Sequence, residues 1–158
     1  MEFLSNIMLI YFQMEQSMLE ELMQSSRHPS KEELLIIYYL SVKGNYPHSG
    51  WQDSLEVAEM TDGMGSLLLI PEGQKNKKRL FGKEISEVQF HDADGMLVSV
   101  SLNIDKDGFL FELDVWRVDF GKVISFENLL KNINHNDETN NSQYDGAAGC
   151  DDGRRTKE

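Results

Sequence analysis

Asn103, Asp105, Asp107, Gly108 and Asp114 fall at positions 1, 3, 5, 6 and 12 of a calcium-loop spacing, with apolar Leu110 at position 8. The chemistry would be oxygen ligation of a hard cation. Such a loop needs a helix on each side, whereas apolar and polar residues alternate with period two on both sides of this one. Asp114 is also shorter than the usual bidentate Glu, so a plain Asp-Gly hairpin is the favoured reading.

Glu112 and Asp114 share one face of one segment, with His91 brought near by hairpin geometry. Acid–base work of the glycosidase kind needs carboxylates facing each other across a cleft. Neighbours on one strand instead suggest a solvated or contact face. His28, His48, His91 and His135 show no short ligand spacing, and a zinc site needs at least three convergent ligands. Cys150 sits in a polar tail, and no serine lies in a Gly-x-Ser-x-Gly elbow. Gly63-Met64-Gly65-Ser66 lacks the Lys-Ser/Thr pair and the following helix of a phosphate loop. Its glycines read as a turn, and Asp62, Gly63 and Gly65 remain a turn or ligand-site candidate. No catalytic set, metal or cofactor is expected.

The elements that must position these residues are readable. Met96, Val98, Val100, Leu102 and Ile104 alternate with Leu97, Ser99, Ser101 and Asn103, the pattern of a strand with one buried face. Burying five such side chains contributes a gross term on the order of 10 kcal/mol, which fixes the register. Asp92-Ala93-Asp94-Gly95 joins it to a strand at Ile85 to His91, and Asp105-Lys106-Asp107-Gly108 joins it to one at Phe109 to Val118. The Asp-Gly pairs supply the positive φ of hairpin turns. In the third strand Phe109, Phe111, Leu113 and Val115 are expected on one face. Leu110, Glu112, Asp114, Trp116 and Val118 are expected on the other, which mixes carboxylates with an indole as contact surfaces do.

Upstream, Leu55 to Met60 and Ser66 to Ile70 read as short strands. Gly73 to Arg79 holds Lys75, Lys77, Lys78 and Arg79 and reads as a solvated loop or, as the alternative, a site for an anion or acidic partner. Ser30 and Glu33 form a capping box that opens a helix with Leu34, Leu35, Ile37, Tyr38 and Val42 on its apolar face, and Gly44-Asn45 closes it. Leu4, Ile7, Met8, Tyr11, Met14, Met18 and Leu22 recur at helical spacing, so Phe3 to Phe12 reads as the start of a core helix rather than a targeting segment. The expected organisation is an N-terminal amphipathic helix over 1–27, an α+β core over 28–126, and a short helical turn followed by a disordered acidic tail over 127–158. The fold class is α+β, with N-terminal helices packed on an antiparallel β-meander of about five strands.

At 158 residues and 40% hydrophobic content, the chain suits one domain with one core. Its formal net charge of -12 opposes generic binding to nucleic acid or to anionic membranes. The same charge steers encounter with a basic protein partner. A lone cysteine excludes an internal disulfide and fits a reducing, cytoplasmic home.

Four blocks, Met60-Thr61-Asp62-Gly63-Met64-Gly65-Ser66-Leu67, Phe90-x-Asp92-x-Asp94-Gly95, Ser101-Leu102-Asn103-Ile104-Asp105 and the run Phe111 to Phe120, resemble those of a family of small, acidic, uncharacterised bacterial proteins. The resemblance covers roughly residues 28 to 126. It implies a stand-alone protein without assigned activity, similar in some members to the immunity partners of polymorphic toxins. The expected function is therefore non-enzymatic: neutralisation of a cognate toxin by occlusion, with Glu112, Asp114, Trp116 and Asp119 meeting the partner. The alternatives are a small ligand-binding module or enzyme with a site at the Asp62–Gly65 turn, and a structural or oligomerisation subunit.

Overall fold

In a computed structural model of the chain, the described residues are 13, 14, 17, 18 and 20–141, with side-chain burial given as far as residue 135. The expectations for Phe3 to Phe12, for Cys150 and for the tail beyond residue 141 lie outside them. Five strands, β1 (Glu56–Glu59), β2 (Leu67–Ile70), β3 (Phe81–His91), β4 (Leu97–Asp105) and β5 (Leu110–Arg117), stand between helices α1 (Lys31–Lys43) and α2 (Glu127–Asn141). All pairs are antiparallel, in the order β1-β2-β5-β4-β3. The fold is thus α+β: β3, β4 and β5 form the meander, and the β1–β2 hairpin closes onto β5. Both meander turns have positive φ at the glycine, 85° at Gly95 and 88° at Gly108. No helix among the described residues is long and apolar enough to cross a membrane.

Period-two alternation sends Val98, Val100 and Leu102 of β4, with Leu113 and Val115 of β5, into a core closed by Ile36, Ile37 and Leu40 of α1 and Leu129 and Ile133 of α2. β2 does not alternate, because both its faces are covered. Leu67 and Leu69 enter the main core, while Leu68 and Ile70 join a second cluster with Ala58, Leu22, Met23 and Phe111 on the opposite face.

Several expectations are corrected. Met96 is exposed and Ile104 only partly buried, so the committed run of β4 is shorter than its alternation. Phe111 is an extra residue in β5: Asn103 pairs with Glu112 and Ile104 with Leu110. This bulge reverses side-chain parity. Leu110 is fully buried with Leu113 and Val115, and Phe111 turns to the second cluster. In α1 the stripe facing the sheet is Ile36, Ile37 and Leu40, while Tyr38 and Val42 point outward. The capping box forms as expected. Past it, only Asn45 is left-handed, with φ 51°. Gly44 has φ -83° and is needed for space, since a Cβ there would lie 2.9 Å from the Ile85 carbonyl oxygen. The helix after Phe126 runs from Glu127 to Asn141, beyond the short turn anticipated.

The basic stretch folds inward at its end. The Arg79 side chain is buried, donating Nε–H to Asp105 Oδ2 at 2.7 Å and Nη1–H to the Leu69 carbonyl at 2.7 Å, with its third donor on the Leu110 carbonyl. Its guanidinium lies 5.3 Å from the centre of the Phe111 ring. The other Asp105 oxygen accepts from the N–H groups of Asp107 (3.0 Å) and Phe109 (2.9 Å). Both oxygens of Asp105, one of the calcium-loop positions, are therefore engaged by a turn and an arginine. β3 runs past this turn so closely that a Cβ on Gly82 would overlap the Asp105 carbonyl. Removing the Arg79 guanidinium would leave Asp105 buried without its cation. Arg79→Ala is expected to cost about 3–5 kcal/mol in urea unfolding, with Arg79→Lys recovering only part because a point charge cannot reach three acceptors.

Candidate functional site: an acidic sheet face beside an aromatic ridge

The face of β3–β4–β5 turned away from α1 and α2 is largely polar. In-register pairs place Glu84 opposite Asn103, Glu87 opposite Ser101 and Gln89 opposite Ser99 across β3 and β4. Across β4 and β5 they place Asn103 opposite Glu112, Ser101 opposite Asp114 and Ser99 opposite Trp116. Neutral side chains hold the carboxylates. Ser101 donates to Glu84 at 2.9 Å, Asn103 to Glu112 at 3.0 Å and Ser66 to Asp114 at 3.4 Å, while Ser99 and Gln89 donate to Glu87. Among the described residues none of these four carboxylates is in an ion pair.

Burial pushes the Glu112 carboxyl above its ordinary range; the Asn103 hydrogen bond opposes this and the charges of Asp114 and Asp62 add to it. Burial likewise raises Asp114, against the Ser66 hydrogen bond and with Asp62 and Glu84 adding. The hydroxyl of Ser99 and then the side-chain amide of Gln89 hold Glu87 low instead, with the charge of Lys43 adding. The sheet thus concentrates negative charge that it only partly compensates.

Trp116 is 39% exposed and stands edge-on to Phe120, ring centres 6.3 Å apart. Phe120 is 71% exposed and takes a left-handed φ of 60°, uncommon for a bulky residue. Val118, two residues past Trp116, is 45% exposed.

Asp119, expected on the partner surface, is exposed and is also paired with Arg117. Arg117 occupies a core position opposite Val98 and donates to Asp92 at 2.5 Å, to Asp119 at 2.8 Å and to Asp94. Asp119 also accepts from Gly121 N–H at 3.0 Å, and Arg117 holds its carboxyl below the ordinary range. Burial works to raise Asp92, but N–H groups of Ile124, Ala93 and Ser125, together with Arg117, outweigh it and hold that carboxyl low. Sequence reasoning took Asp92 as a turn residue and Arg117 as part of a block. The signal available was an arginine at an inward-parity position with no apolar substitute.

Asp62 forms a turn, accepting from Met64 N–H at 3.0 Å and Gly65 N–H at 3.4 Å. Its charge reaches Glu112 and Asp114, so the structure brings these three together electrostatically. His91 is not among them. It pairs with Leu97, whereas Glu112 pairs with Asn103, roughly 20 Å further along β4. A groove of about 680 Å³ lies between helical residues 20–24 and the 75–80 loop, over Leu68 and Phe111, and Asp62, Gly63 and Gly65 do not line it. Lys75 on its rim is paired with Glu56 at 2.6 Å.

Fold and site together define a small α+β domain with one sheet face packed under helices and the other divided between an apolar cluster and a carboxylate band. The chain belongs to the family of the domain of unknown function DUF6984, which matches residues 26–127. The match runs from beside Arg27, whose backbone bridges β1 at Val57, to the first residue of α2. No curated protein and no solved structure matches the chain.

A carboxyl whose folded pKa is raised binds its proton more tightly in the native state, so its contribution to stability falls as pH rises from the ordinary carboxylate range through the raised value. Asp92 acts oppositely: its stabilisation is present above the ordinary range and is lost as pH falls through its lowered value. The double variant Glu112→Gln, Asp114→Asn is therefore expected to be more stable than the parent at pH 7. Solvent screening of these half-exposed groups limits the gain to about 1 kcal/mol or less. Thermal melts across pH should show the gap closing as acid protonates the parent's two carboxyls.

Proposed function

We propose that this protein is a non-enzymatic, cytoplasmic binding protein, an immunity protein that occludes a cognate basic toxin domain with the β3–β4–β5 face. The observation that carries the reading is a row of carboxylates, Glu84, Glu87, Glu112 and Asp114, held by neutral partners and placed beside exposed Trp116. The row differs from Glu33, Glu56 and Glu59 of this chain, which are paired with Arg27 or Lys75. A row only partly compensated steers a cationic protein and leaves charge for it to neutralise. The resemblance to immunity partners of toxins supplies the kind of partner.

A ligand site at the Asp62–Gly65 turn is less well supported, because the Asp62 carboxylate is engaged by its own turn and the turn does not line the groove over Leu68 and Phe111. Assembly through a sheet edge also lacks support. Arg27 exchanges two backbone hydrogen bonds with Val57 along β1, and along β3 Lys43 donates to the Glu87 carbonyl at 2.6 Å and Asn128 to that of His91 at 2.8 Å.

The test is complex formation with the product of the adjacent gene. Mixing the two should give a stable complex on size exclusion, and co-expression should relieve that product's toxicity. Glu112→Lys with Asp114→Lys should slow association about tenfold or more while the fold persists by circular dichroism. A neighbourhood without a toxin, together with no complex, would sink the reading.

A further inference from the structure

We propose that the ridge of Trp116, Val118 and Phe120 is the anchor of this surface, and that it receives a protein segment in which arginine stands next to an aliphatic residue. The inference rests on the reading of the carboxylate face as a partner surface and adds where on it a partner is held and by what chemistry.

Three exposed apolar side chains stand within five residues, Trp116 to Phe120, and two of them are in contact edge to face. An aromatic pair left this exposed has apolar area to bury against a partner. The charge beside it selects the occupant. Asp114, two residues before Trp116 on the same face of β5, and Glu112, two before that, continue the row without a cation among the described residues. An arginine laid over the Trp116 indole directs its fork toward Asp114, combining a cation–π contact with a charge-assisted hydrogen bond. A lysine offers only the point charge. The adjacent aliphatic residue then packs on Phe120 and Val118. Rigid supports hold the ridge, since Arg117 and Asp119 between its members are tied to each other and to Asp92 and Asp94. A preorganised aromatic loses little entropy on binding.

The division of labour is testable: the carboxylates govern encounter and salt dependence, and the ridge governs residence. The probes are two short synthetic peptides, one alternating arginine and leucine, the other alternating arginine and serine. Each is titrated into the full chain at low and physiological salt, with Trp116 emission as readout and buried Trp51 as a constant background. Phe120→Asn removes the ring while keeping a residue type that tolerates the left-handed backbone. It is expected to bind the arginine–leucine peptide about tenfold more weakly, with an unchanged salt slope and a melting temperature near the parent's. It should bind the arginine–serine peptide as the parent does. Glu112→Gln with Asp114→Asn should flatten the salt slope for both peptides.

Equal affinity of the two peptides for the parent, or of the parent and Phe120→Asn for the arginine–leucine peptide, would overturn the ridge as anchor. If the carboxylate variant still weakens binding in that case, the acidic-face reading stands and only the ridge falls. If neither variant changes binding, both fall. Absence of binding by either peptide also overturns the ridge, and the acidic-face reading is then judged by complex formation with the adjacent gene product.

Discussion

Arg117 places a guanidinium at an inward position of β5, opposite Val98, where its neighbours Leu113 and Val115 are core residues. A charge there is tolerable only with partners, and it has three, of which Asp92 has no exposed side-chain surface. Asp92 in turn accepts N–H groups from Ala93, Ile124 and Ser125. The β3–β4 turn, the end of β5 and the lead into α2 thus meet on one ion pair. Taking one partner away would strand a buried charge, so this network constrains the approach of α2 and the shape of the loop that carries Phe120.

A second arginine performs the same service at the far end of the sheet. Arg79 joins Asp105 of the β4–β5 turn to the carbonyls of Leu69 and Leu110, and so ties β2, β4 and β5 together where the chain returns to begin β3. No buried side-chain polar atom among the described residues lacks a hydrogen-bond partner, which is what lets two guanidinium groups lie inside so small a fold. The β3–β4 hairpin contributes two of the anchoring carboxylates, Asp92 and Asp94, and the β4–β5 hairpin contributes one, Asp105. Asp92, Asp94 and Asp105 of these Asp-rich turns each hold an arginine.

The sheet is pinned at both ends and its edges are blunted by Arg27, Lys43 and Asn128, and its β3–β4–β5 face turned away from α1 and α2 stays polar. Its charge is unevenly compensated. Asp92, Asp94, Asp105 and Asp119 are neutralised within the fold, while Glu84, Glu87, Glu112 and Asp114 rest on hydroxyl and amide groups. The net acidity of the chain therefore divides into a structural share and a share presented outward.

Local rules were enough for the α+β class, the two Asp-Gly turns, the capping box at Ser30 and Glu33, and the shared face of Glu112, Asp114 and Trp116, because period, turn φ and helix capping are set by residues a few positions apart. Tertiary structure decided the rest. The bulge that turns Leu110 inward and Phe111 outward depends on how β5 meets β4, and no property of Phe111 in its own segment announces it. Arg79 and Arg117 look like a loop cation and a strand-end cation until carboxylates 26 and 25 residues away arrive beside them. Asp119 is exposed and pairs with Arg117 two residues before it, a local contact. Which charges are spent inside a fold and which remain for a partner is a long-range property, fixed only when the chain has closed on itself.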